Sequence, residues 1–118
     1  MAQLKELLTE LVEVQGVNSA VVVGRDGFVI DGVSRGAALD TDALGAVIST
    51  GTGSSEVMGR ELRVGEMTQC MFEYSGGLIV MALLGRDAIL AVVADLAANV
   101  GNVRFQIKKR TQAIEQAL

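Results

Sequence analysis

The stretch "ISTGTGSSEVMG", Ile48 to Gly59, interleaves glycines with hydroxyl side chains. That mixture suits either a loop that cradles a phosphate or a helix that lets another surface come close, and the architecture turns on which. A P-loop needs Gly, four residues, then Gly-Lys-Ser or Gly-Lys-Thr, with the lysine reaching the β and γ phosphates. No lysine occurs between Lys5 and Lys108. A dinucleotide fingerprint starting at Gly51 and Gly53 would place its third glycine where Glu56 stands, and a carboxylate repels pyrophosphate. The chemistry therefore weighs against the phosphate reading and favours the helix.

As a helix, stepping 100° per residue, the segment from Leu44 gathers Leu44, Val47, Ile48, Gly51, Ser55, Met58 and Leu62 on one side, the side expected to lie on a sheet. The other side collects Ala46, Ser49, Thr50, Gly53, Val57 and Arg60, a small and nearly uncharged set where a solvated face would carry Lys and Glu. Gly45, Gly51, Gly53 and Gly59 each cost about 1 kcal/mol against Ala in a helix interior, a sizeable share of a domain's total stability of roughly 5–15 kcal/mol. Close approach of another backbone, from the sheet below or a second helix above, is the expected offset. The competing reading is a helix that breaks at Gly51 to Gly53 and leaves a solvated loop.

Outward from this helix the pattern is regular. In "MAQLKELLTELVEVQG" the positions Leu4, Leu7, Leu8, Leu11 and Val12 fall at helical spacing, and Gly16 stands where a helix commonly ends. "VNSAVVVGRDGFVIDGVS" holds two β-branched runs around Asp26-Gly27, which predicts a hairpin. Asp40 is placed to cap the middle helix, with Leu39 and Leu44 as a hydrophobic staple and the helix running to about Leu62. Then come "MTQCMFEYS", "GGLIVMALLG" and "RDAILAVVAD", three strand-like runs. The first alternates, as an edge strand does, and the other two are nearly all apolar, as strands buried on both faces are. The chain closes with an amphipathic helix in "NVGNVRFQIKKRTQAIEQAL". The expected order is helix, two strands, helix, three strands, helix, in a single domain over residues 1–118.

Composition removes several functions. Ten basic against fourteen acidic side chains give a net charge of −4, the wrong sign for a nucleic-acid binder. There is no histidine and Cys70 is the one cysteine, so no Ser-His-Asp or Cys-His machinery, intrachain disulfide or cysteine-rich zinc site is available. No catalytic, cofactor or metal residue is therefore assigned. Cys70, without a histidine to activate it, reads as a packed thiol. Residues 1 to 15 lack the pattern of a signal peptide, and the longest apolar run, Leu78 to Leu84, is too short to span a bilayer. A soluble, cytoplasmic protein is expected. The bases Arg104, Lys108, Lys109 and Arg110 read as a solvated helix face, with Arg110 pointing away from the rest.

If "MTQCMFEYS" is an edge, its open backbone groups invite pairing, since it carries neither Pro nor Lys to block it. Pairing with its own copy would bring two small-faced helices together in a twofold dimer with a continuous sheet. The whole chain, through "GVNSAVVVGRDGFVID", the long middle helix, "GGLIVMALLGRDAILAVV" and "GNVR", resembles the roadblock / dynein light-chain-seven domain and, within it, MglB-like bacterial and archaeal proteins. The resemblance implies an α+β sandwich: a five-stranded antiparallel sheet, the middle helix on one face and the terminal helices on the other. It also implies homo- or heterodimers made through the third strand and middle helix, and binding to small Ras-like GTPases. Carried onto this chain, the pairing edge is Thr68, Cys70 and Phe72, and the partner helix face is Ala46, Ser49, Thr50, Gly53, Val57 and Arg60. Arg60 reads as a structural arginine near a helix end rather than an arginine finger. A non-enzymatic dimeric regulator of a Ras-like GTPase is the function this implies. The alternative is a small-molecule sensor or structural scaffold without a GTPase partner.

Overall fold

The computed structural model describes residues 2–36 and 41–118 and contains α1 (Ala2–Val12), β1 (Val17–Gly24), β2 (Val29–Ser34), α2 (Thr41–Glu61), β3 (Gln69–Tyr74), β4 (Gly77–Leu84), β5 (Ala88–Ala94) and α3 (Val100–Ala117). This is the element order that the periodicity predicts. The proposed Leu39 and Asp40 cap lies outside the described residues. Every neighbouring pair of strands is antiparallel, and the sheet order is β2-β1-β5-β4-β3.

Local chemistry explains the joints. Gly27 sits at φ +92, a conformation that costs a side chain, and the Gly24 amide closes the hairpin onto the Phe28 carbonyl at 2.8 Å. The pairing shifts between Val22 and Val23, which face Asp31 and Val29, so Ile30 is the extra residue of a β-bulge. The middle helix ends with Arg63 at φ 57 while the Val64 amide reaches the Gly59 carbonyl and the Arg63 amide the Arg60 carbonyl, a Schellman closure built on an arginine where glycine is usual.

Each face of the sheet has its own core. Leu4, Leu8 and Leu11 of α1 and Val103, Ile107 and Ile114 of α3 pack on Val22, Val80, Leu90 and Val92. Each such leucine or isoleucine, fully buried, stabilises the fold by roughly 1.5–3 kcal/mol. On the opposite face Ile48 packs with Val21, Val23, Met81, Ile89 and Ala91. The terminal helices thus share one face and the middle helix takes the other. β5 is buried on both faces and β4 nearly so, as their unbroken apolar runs predict.

The rolling of α2 about its axis differs from the expected one. Among the described residues Gly45, Ile48 and Thr52 are buried and Leu44 packs partly beside them, while Val47, Met58 and Leu62, expected against the sheet, are exposed. The cause is the seat of Gly45. A Cβ there would stand 2.0 Å from the Gly27 carbonyl oxygen, so the helix rests backbone to backbone on the hairpin turn. Ser49, one turn on, donates its hydroxyl to the Arg25 carbonyl at 2.7 Å. With positions 45 and 49 turned to the hairpin, positions 48 and 52 meet the sheet and 47, 58 and 62 rotate outward.

Candidate partner interface

The rolled helix leaves an apolar surface beside β3. Between the C-terminal half of α2 and that strand runs a groove of about 380 Å³, lined among others by Met58, Leu62, Val64, Met67, Cys70 and Phe72. Met58 is 57% exposed, Leu62 72% and Val64 77%, a concentration of apolar side chains that a solvated surface would not gather.

β3 is an outer strand of the sheet and pairs in unbroken register with β4 from Gln69↔Ala82 to Tyr74↔Gly77. The Leu83 amide donates to the Thr68 carbonyl at 3.2 Å, one step before the first of these pairs. Alternation in an antiparallel ladder then turns the backbone groups of Cys70 and Phe72 toward β4 and those of Gln69, Met71 and Glu73 outward. The expected pairing residues are therefore placed differently from their sequence reading. Thr68 precedes the strand and its carbonyl is used by β4, while the side chains of Cys70 and Phe72 pack, half-buried, against the α2 core. The rungs available to another strand belong to Gln69, Met71 and Glu73. Parity of register decides this, and the sequence alone carries no signal of it.

On the helix, Ala46, Thr50, Val57 and Arg60 are exposed as expected. Ser49 is not free, because its hydroxyl is committed to Arg25. Around Gly53 an added Cβ would meet nothing within 4 Å, so that glycine is open to an approaching surface.

Beside Ser49, Arg25 forms a two-pronged ion pair with Glu56, Nη1 to Oε1 and Nη2 to Oε2, tying the hairpin turn to the middle of α2. The Arg25 hydrogen bond, assisted by the charge of Arg60, outweighs burial and holds the Glu56 carboxyl below its usual range. The acid that breaks the dinucleotide fingerprint is thus a structural clamp. Burial pushes the Cys70 thiol up, with a hydrogen bond from Ser55 opposing it, so it is held away from the thiolate form that nucleophilic chemistry needs. Among the described residues no group of three or more His, Cys, Asp or Glu is placed to hold a metal ion, and no helix is long and apolar enough to cross a membrane.

Comparison with known proteins bears on the fold. The family model of the Roadblock/LC7 domain matches residues 3–94. An uncharacterized protein of Methanocaldococcus jannaschii is 31% identical over 112 residues, 95% of this chain and 96% of its own length. Among solved structures, the gliding protein MglB from Thermus thermophilus superposes with a TM-score of 0.88 at 19% identity, over 98% of this chain and 87% of that one. A structure described as MglB with a tetrameric arrangement gives a TM-score of 0.89 at 19% identity, again over 98% and 87%. At these identities the two structures establish likeness of fold.

Proposed function

The chain belongs to the Roadblock/LC7 domain family, and on that premise we propose that it is a non-enzymatic dimeric adaptor that binds a small Ras-like GTPase in the cytoplasm and modulates its nucleotide cycle or its location. The observation that carries the reading is the coincidence of an open β3 edge with an exposed apolar groove along α2. Two copies joined antiparallel through Gln69, Met71 and Glu73 would form one continuous sheet and shield Met58, Leu62 and Val64. The same pairing sets two middle helices side by side, with Ala46, Thr50, Gly53 and Val57 as a small, weakly polar platform for a further protein. The tetrameric arrangement of the MglB structure is consistent with self-association on this fold.

Two measurements test the proposal. Sedimentation equilibrium of the purified chain at micromolar concentration should give a dimer mass; a strict monomer rejects the assembly. The Ras-like GTPases of its host, loaded with GDP or a GTP analogue, are then mixed with it. Complex formation with a changed hydrolysis or exchange rate is expected, and neither appearing with any of them rejects the GTPase reading.

A further inference from the structure

We propose that the cleft between α3 and β3, on the sheet face opposite α2, is a docking site for an acidic, partly apolar peptide segment of another protein. The two terminal helices leave the β3 margin of their own face uncovered. Gln69, Met71 and Glu73 share that face, because their partners Ala82, Val80 and Leu78 do, yet Met71 and Glu73 are exposed while Val80 and Ala82 are buried in the core. A cleft of about 250 Å³ fills the gap, lined by Gln69, Gly101, Arg104, Phe105 and Lys108. Through Gln69, Arg104 and Lys108 it continues into a second of about 390 Å³ that reaches Glu66 and Thr111.

Charge and shape identify the occupant. From Val100 to Ile114 the chain carries four bases and no acid, in a protein of net charge −4. Arg110 is neutralised by Glu10 at 3.0 Å, and its side chain is largely covered. Arg104 and Lys108, one helical turn apart, have no ion-pair partner among the described residues and both line the cleft. The Arg104 Nε donates to Gln69 Oε1 at 2.8 Å, which steadies the guanidinium across the cleft. Beside it Phe105 is 59% exposed, an apolar anchor next to two cations. A carboxylate-bearing segment with one or two apolar side chains matches this combination. Arg104 and Lys108 line both clefts in a row beside Phe105, which suits a segment laid along them, and Glu66 at the far end marks where an acidic stretch would stop. The inference concerns each protomer's own surface and does not rest on the dimer.

The test uses the full chain and a fluorescein-labelled amphipathic peptide carrying Glu and Leu at helical spacing, with its Lys-for-Glu counterpart and phosphatidylserine vesicles as the other probes. Anisotropy should show salt-sensitive binding of the acidic peptide and none of the basic one. Arg104→Glu with Lys108→Glu should weaken it roughly tenfold or more, Phe105→Ala several-fold, and Lys109→Glu, outside the cleft, hardly at all. If the double reversal unfolds the chain, Arg104→Gln with Lys108→Gln should give an intermediate loss in a folded protein. Absence of peptide binding, an equal loss in Lys109→Glu, or capture by vesicles without peptide binding overturns the proposal. A change of solution mass as the sole effect of the double reversal overturns it as well, in favour of contact between copies.

Discussion

The hairpin side of the molecule closes on itself, and the β3 side does not. On the hairpin side the edge strand β2 carries a bulge at Ile30 and an inward charge at Asp31, which Lys5 meets at 2.6 Å while also bonding the Gly32 carbonyl at 3.2 Å. Those are the devices by which natural sheets blunt an edge. The α2 glycine there, Gly45, is answered within the chain by the Gly27 carbonyl. On the β3 side the register is unbroken and no lysine or proline interrupts Gln69–Tyr74. One edge is blunted by the fold and the other is open.

That contrast breaks most severely at Gly45. Gly45→Val should destabilise the chain by about 3 kcal/mol, since overpacking against rigid backbone leaves no side chain to yield; a denaturation midpoint unchanged from wild type would show that the hairpin seat is not tight. On the open side the expected loss moves from folding to association. Leu62→Glu should leave unfolding within about 0.5 kcal/mol of wild type and weaken self-association roughly tenfold, or about 1.4 kcal/mol. Sedimentation at graded concentration checks it, and an unchanged dimer excludes the groove.

The Arg25–Glu56 clamp comes next in size. Glu56→Gln should cost about 1 kcal/mol at neutral pH. The folded carboxyl lies below its ordinary 4.5, so its stabilising effect is complete above that value and is lost as pH falls through the lower folded one. The variant should therefore lose less stability than wild type on acidification, and parallel pH profiles would show the pair to be energetically idle. Asp31 supplies a residual slope of the same sign: burial alone would raise its carboxyl, but the Lys5 hydrogen bond, with the Gly32 amide, brings it below the usual range. Smallest is Gly53→Ala, which should stabilise the monomer by up to about 1 kcal/mol because the site is open and alanine is the better helix former. Destabilisation there would show that an added methyl meets a neighbour.

Much of this was legible in residue spacing. The hairpin at Asp26-Gly27, the long middle helix, the edge character of β3 and the double burial of β5 follow from periodicities of two and 3.6. The roll of α2 did not follow. Stepping at 100° groups Val47 and Met58 with Ile48, and only the approach of Gly45 to Gly27, eighteen positions away, chooses which of them meets the sheet. Thr52 was missed for a related reason: a hydroxyl carries no hydrophobic signal, yet it is fully buried, 3.9 Å from the Met81 sulfur. The Arg25–Glu56 clamp likewise joins two segments with no shared pattern. Glu56, on a small and weakly polar stretch of helix, is the hint in the sequence, and there it speaks only against a nucleotide.

The central pairing of β1 with β5 governs how the chain reaches this state. Val21 lies opposite Ala91, seventy positions later, so the middle of the sheet cannot form until a long loop has closed. The hairpins β1–β2, β3–β4 and β4–β5 each join neighbours and form early; the β1–β5 step that unites them is non-local and sets the rate. Until it happens, the facing rims of β1 and β5 are exposed as well as the outer rim of β3. Refolding yield should therefore fall with protein concentration more steeply than stability alone would suggest, because open strand edges are available before the sheet is complete.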